Sequence, residues 1–168
     1  FPFIPKTLDT IYQLKLNKQK SVLEIGVGTG RLATVVAPHV KKFTGIDISS
    51  KSIQKAKEHI KEKVNLISDD FMFHDFTEKF DVIYCQQPVG GVMGRIIAKK
   101  FKLPCIYTAH GFHFFKGAHI LNWLIFYPVE KFLSQYTDCL ITINKEDYNL
   151  AKKKFKAEQV KFVPGVGI

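Results

Sequence analysis

Three glycines follow the first strongly apolar segment and mark the clearest candidate binding site in the sequence. The segment LEIGVGTGR contains a predicted strand, a turn through Gly26, Gly28 and Gly30, and the start of a helix. Glycine has no Cβ, so a ligand can lie directly against the backbone of such a turn. The helix that follows offers N–H groups that lack intrahelical partners. The turn therefore predicts a site for a nucleoside or nucleotide.

Acidic residues end the next two predicted strands. Asp47 lies 21 residues after Gly26, and Asp70 is followed by Phe71 at the end of the third strand. A carboxylate at the end of the second strand can accept hydrogen bonds from ribose hydroxyls. The dinucleotide fingerprint G-x-G-x-x-G would require glycine where Arg31 stands, which disfavours a nicotinamide cofactor.

The pattern E-x-G-x-G-x-G, the two acidic strand ends and the strand KFDVIY occur in the order seen in one enzyme family. Over residues 8–84 the chain resembles class I methyltransferases that depend on S-adenosylmethionine (SAM). In that family the residue matching Asp70 contacts the adenine amino group, and the one matching Phe71 lies beside the adenine ring. The resemblance implies a cofactor site built from Glu24, Gly26, Gly28, Gly30, Asp47, Asp70 and Phe71.

The second half of the chain resembles a different family. The segment QQPV (86–89) does not match the Asn/Asp-Pro-Pro-aromatic motif of amino-methylating methyltransferases. Residues 85–168, with the segments TAHGFHF and TINKEDY, resemble the N-terminal domain of bacterial GT-B-fold glycosyltransferases of the family-four type. This resemblance implies a cleft lined by a loop with Gly90 and Gly91 and by His110 at the end of the fifth strand. It also implies a second, donor-binding domain beyond the end of this chain.

Short apolar strands alternate with amphipathic helices along the whole sequence, which predicts a parallel sheet covered on both faces. We expect one doubly wound α/β domain over residues 1–168, a Rossmann-like three-layer sandwich of about seven strands in the order 3-2-1-4-5-6-7. The predicted strands are 21–26, 42–49, 64–68, 80–85, 104–111, 138–144 and 160–165. The predicted helices are 31–40, 51–63, 92–101, 119–136 (bent near Pro128) and 145–155.

The stretch FDVIYCQQP (80–88) is predicted to be a junction. It would join a methyltransferase-like half (1–84) to a glycosyltransferase-like half (85–168), either by engineering or by natural recombination. On this hypothesis no residue is expected to be catalytic, and the chain keeps at most residual binding of SAM or another small nucleoside. Two alternatives stay open: an active SAM-dependent methyltransferase, and the acceptor-binding half of a glycosyltransferase.

Composition limits the remaining functions. The formal net charge is +10, and most of the excess lies in residues 85–168, including AKKKFKAEQVK (151–161). We interpret that run as a solvated helix face and expect no nucleic-acid partner, because no nucleic-acid motif accompanies it. No apolar run is long enough for a membrane span. Cys85, Cys105 and Cys139 lack metal-ligand spacing, which predicts reduced thiols, no metal site and a cytoplasmic protein.

Overall fold

The computed structural model describes residues 16–86 and 89–164. Seven strands form one sheet in the order β3-β2-β1-β4-β5-β6-β7, and every neighbouring pair is parallel. The predicted Rossmann-like order is thus confirmed, with the topological switch point between β1 and β4. The strands are β1 Ser21–Ile25, β2 Lys42–Asp47, β3 Asn65–Ser68, β4 Val82–Gln86, β5 Cys105–Ala109, β6 Cys139–Thr142 and β7 Gln159–Phe162. The α-helices are α1 Arg31–Val36, α2 Ser50–His59, α3 Val89–Phe101, α4 Ile120–Leu133 and α5 Lys145–Lys154.

The strands are apolar because both faces of the sheet are buried. Successive residues of β1 alternate between two core clusters: Val22 belongs to one cluster and Leu23 to the other. This alternation follows from the two-residue repeat of a strand. Val82 and Ile83 on β4 divide between the same two clusters, so β4 continues the layers that β1 begins.

Helices α1 and α2 each end four residues before the boundary that the sequence pattern predicts. Helix α1 stops at Val36 and continues as a short 3-10 turn, because Pro38 has no N–H to donate to the preceding turn. Helix α2 begins after Ser49, whose Oγ accepts a hydrogen bond from the Ser52 N–H at 3.2 Å, and it ends at His59. The chain after α2 is extended and turns back toward the sheet.

The prediction of a loop around Gly90 and Gly91 is wrong, because both residues lie in the first turn of α3. A Cβ on Gly90 would lie 3.0 Å from the backbone oxygen of Ile25, and a Cβ on Gly91 would clash with the ring of Tyr107. These glycines let α3 pack directly against β1 and β5. The remainder of the predicted junction, residues 87–88, lies outside the described residues.

Helix α4 leaves an apolar face exposed. Its large side chains that are more than half exposed are Ile120, Leu121, Leu124, Ile125 and Phe132. Among residues 16–86 and 89–164, none of the helices is long and apolar enough to span a bilayer. The three cysteines are buried and free.

Candidate functional site

The glycine turn after β1 combines open space with close packing. Gly26, Gly28 and Gly30 have positive φ angles of 79°, 54° and 78°. A Cβ on Gly26 or Gly28 would meet no protein atom within 4 Å, whereas a Cβ on Gly30 would lie 2.5 Å from Cδ1 of Ile60. The first two glycines therefore border space that a ligand can fill. The third allows the turn to pack against the end of α2.

Asp47 connects the end of β2 to this turn. Its Oδ2 accepts a hydrogen bond from the Gly28 N–H at 2.8 Å, and its Oδ1 accepts one from the Ser49 N–H at 2.8 Å. A carboxylate has about four acceptor positions, so each oxygen retains one for a ligand. Asp47 thus orients the turn and can still bind two neighbouring hydroxyl groups.

Glu24 lies fully buried on β1, between Gly45 of β2 and Tyr84 of β4. Burial raises its pKa to about 8; the hydrogen bond from Gln86 opposes this shift, and the negative charge of Asp47 adds to it. The side chain is consequently protonated in most molecules at neutral pH. Its Oε2 has no hydrogen-bond partner among the described residues.

Gln86, the last residue of β4, joins the two halves of the site. Its Nε2 donates to Oε1 of Glu24, and its Oε1 accepts from Nε2 of His110 at 2.8 Å. Partial burial, together with the charge of Arg31, lowers the pKa of His110, so that the ring is neutral at pH 7. In the sequence, Gln86 stands out only as a mismatch to an acceptor motif. Its place at the end of a strand beside the switch point was the signal that could have identified it.

The residues after β3 form a separate exposed turn. Oδ1 of Asp70 accepts the Met72 N–H at 3.0 Å, and Phe71 is partly buried against the core. Nδ1 of His74 lies 2.8 Å from Oδ2 of Asp69, and this hydrogen bond lowers the pKa of the Asp69 carboxyl. The Asp69 N–H also donates to the backbone oxygen of Asp47 at 3.1 Å, which places this turn beside the β2 end.

The structure therefore brings most of the predicted site residues to one edge of the sheet. Glu24, the glycine turn, Asp47 and His110 lie at the carboxyl ends of their strands, where ligands bind in open α/β sheets. Gly90 and Gly91, which were expected beside His110 in a cleft, instead pack α3 onto the sheet. No cluster of three His, Cys, Asp or Glu side chains within the described residues is arranged to hold a metal.

Comparison with known proteins gives separate matches for the methyltransferase resemblance and for the glycosyltransferase resemblance. A family model described as a methyltransferase domain matches residues 22–95. This segment is methyltransferase-like. A protein from Methanocaldococcus jannaschii named as an N5-glutamine methyltransferase is 42% identical over 74 residues, which are 42% of this chain and 38% of that protein.

A solved structure supports the methyltransferase-like fold. The SAM-dependent methyltransferase from Thiobacillus denitrificans, in complex with S-adenosyl-L-homocysteine, is 30% identical, with a TM-score of 0.50. The match covers 64% of this chain and 49% of that one. The seven-stranded sheet therefore has a Rossmann-like methyltransferase fold.

A glycosyltransferase resemblance is also present. A Bacillus subtilis (strain 168) protein that carries the name glycosyltransferase EpsD is 57% identical over 79 residues, which are 45% of this chain and 21% of that protein. The chain thus spans 21% and 38% of the lengths of the two curated relatives described. The predicted junction between two halves of different origin stays a prediction.

Proposed function

We propose that this chain is a SAM-dependent methyltransferase whose cofactor lies along the glycine turn and Asp47. The observation that carries the proposal is the pairing of Asp47 with the Gly28 N–H at 2.8 Å, next to glycines whose Cβ positions are open. Bound SAM would supply an electrophilic methyl group for transfer to a nucleophile. The methyltransferase-domain match over residues 22–95 supports the same conclusion.

The residues present fit such a cofactor. Gly26 and Gly28 leave backbone exposed along the turn, and Asp47 retains one acceptor position on each oxygen for the ribose hydroxyls. Asp70, in the turn after β3, is proposed to accept from the adenine amino group. Glu24 is a positioning residue: protonated and buried, it holds Gln86 and keeps the ends of β1 and β4 together.

The hypothesis of an inactive junction protein has less support than the hypothesis of an active enzyme. The methyltransferase-domain match continues to residue 95, past the junction predicted at residues 80–88. The Glu24–Gln86 hydrogen bond joins the half predicted as 1–84 to the half predicted as 85–168, so the contact between the two halves is polar as well as apolar. Both observations favour one continuous site.

Calorimetric titration with SAM tests this proposal. The unmodified chain is expected to bind SAM, and Asp47→Ala to bind it at least tenfold more weakly, because hydrogen bonds to charged groups contribute about 1.5–3 kcal/mol. Asp75→Ala, an exposed carboxylate in the loop before β4, is the matched control and should bind normally. Undetectable SAM binding by the unmodified chain would refute the proposal, as would a larger loss in His110→Ala than in Asp47→Ala.

Transfer itself requires a second measurement. In a protein-free filtrate of a bacterial extract, the unmodified chain should transfer tritium-labelled methyl groups from SAM to small molecules. At subsaturating SAM, Asp47→Ala should transfer them at least tenfold more slowly. SAM binding without any labelled product would favour the inactive-junction hypothesis instead.

The acceptor-binding half of a glycosyltransferase is a second candidate function, favoured by the 57% identity to the glycosyltransferase-named protein. We propose His110 as its cleft residue, since it lies directly after β5 at the ligand-binding edge. Binding of a sugar-diphosphate acceptor analogue by the unmodified chain, at least tenfold weaker in His110→Ala, would support this function. Absence of binding, or equal affinities of the two proteins, would contradict it.

A further inference from the structure

A cavity of about 290 Å³ lies between α3, α4 and the loop after β5. Its walls include Val92 and Met93 from α3 and Phe126 and Val129 from α4. His113 and Glu130 are its polar lining residues. The volume approaches the lower end of the range for small-molecule sites, which combine apolar walls with a few placed polar groups.

Glu130 belongs to a buried polar cluster beside this cavity. Its Oε2 accepts from Nη1 of Arg95 at 2.8 Å, and its Oε1 accepts from the hydroxyl of Tyr107 at 2.9 Å. The Arg95 guanidinium also lies over the Tyr107 ring, 3.9 Å from its centre. These bonds fix the carboxylate and use one acceptor position on each oxygen, which leaves a second position on each for a ligand.

Glu130 is the charged group that a ligand in the cavity would meet, because it lines the cavity and Arg95 does not. Arg95 is 1% exposed and neutralises the carboxylate through its own hydrogen bond to Oε2. A hydroxyl group of a ligand can donate to a remaining acceptor position of Glu130, whereas a molecule without a donor cannot use it.

We propose that this cavity binds a small aromatic molecule that carries a hydroxyl group, with its rings among the apolar walls and its hydroxyl donating to Glu130, the residue of the Arg95–Glu130 pair that lines the cavity. The cavity and the end of β1 contact different residues in the first turn of α3. Val89 lines the cavity, and the next residue, Gly90, contacts Ile25 just before the glycine turn. The site is distinct from the proposed SAM site, so its test does not depend on SAM binding.

The two methionines of the chain allow a direct test. Met93 lines the cavity, whereas Met72 lies 57% exposed in the turn after β3. With ¹³C-methyl methionine, titration with 2-naphthol is expected to shift the Met93 methyl signal to saturation and to leave that of Met72 in place. The methyl signal that is missing in Met93→Leu belongs to Met93, which assigns the two signals. Naphthalene, which lacks the hydroxyl, should bind at least tenfold more weakly.

Two variants on one helix provide the control. Val92→Phe fills the cavity and should abolish the Met93 shift, whereas Ile96→Phe places the same side chain at a position that is 43% exposed and should preserve it. An unmoved Met93 signal, equal shifts of Met93 and Met72, or unchanged binding by Val92→Phe would each overturn the proposal. Equal affinities for 2-naphthol and naphthalene would overturn the role of the Arg95–Glu130 pair.

Discussion

Gln86 on β4 donates its side-chain amide to the carboxyl group of Glu24 on β1, directly across the topological switch point. The bond matters because Glu24 is fully buried and its other oxygen has no partner among the described residues. Gln86 therefore provides a hydrogen-bond partner for one of the two oxygens of this buried carboxyl group. The same amide reaches His110 beyond β5, so one side chain links three strand ends of the candidate site.

The titration of Glu24 predicts a pH-dependent stability. Its pKa is about 8 in the folded chain, against an ordinary value of 4.5. The stability that its protonated form contributes is fully present below pH 4.5 and is lost as the pH rises through 8. Between pH 5 and pH 9 this loss should reach on the order of 2–5 kcal/mol. Urea denaturation should show that Glu24→Gln removes most of the dependence. The exposed Glu62→Gln is the control, and equal slopes for the two variants would contradict the assignment.

Two glycines of one turn should respond differently to alanine. Both Gly28→Ala and Gly30→Ala introduce a Cβ at positive φ, so they share that strain. Only the Cβ at residue 30 meets Ile60 and Ala56, so Gly30→Ala should lose about 1–3 kcal/mol more unfolding free energy than Gly28→Ala. Gly28→Ala should weaken SAM binding more. Thermal unfolding and calorimetry measure the two effects, and a reversed order in either would show that the turn is assigned incorrectly.

A buried and an exposed ion pair of this chain should contribute differently to the free energy of unfolding. Arg95 and Glu130 have side chains 1% and 9% exposed, whereas Lys42 and Glu78 have side chains 47% and 31% exposed. Glu130→Leu leaves a buried guanidinium without its anion and should cost about 3–5 kcal/mol. Glu78→Leu should cost less than about 1 kcal/mol, because solvent screens the pair. Urea titration measures the unfolding free energies of the two variants. Similar losses in Glu130→Leu and Glu78→Leu would contradict the predicted difference.

The two sides of the predicted junction should unfold together. β4 pairs with β1 on one side and with β5 on the other, and α3 contacts Ile25 through Gly90. Native-state hydrogen exchange should therefore give the slowest amides of β1 and of β5 the same opening free energy. Two distinct values, divided near residue 85, would show that the halves are independent units.

The sequence alone determined the fold class and the strand order, because apolar strands separated by amphipathic helices allow few arrangements of a parallel sheet. It also identified the glycine turn and Asp47, since both belong to a local pattern at strand ends. Helix ends were less certain, and Pro38 ended α1 four residues before the predicted boundary.

Only the tertiary structure decided which distant residues meet. The Glu24–Gln86–His110 chain and the Arg95–Glu130 pair both depend on side-chain geometry between separate segments. The same holds for Gly90 and Gly91, which resemble a loop in sequence but lie in a helix at positions where Ile25 and Tyr107 leave no room for a side chain. Hydrophobic periodicity records which face of an element is buried, whereas it carries no information about which polar groups meet there.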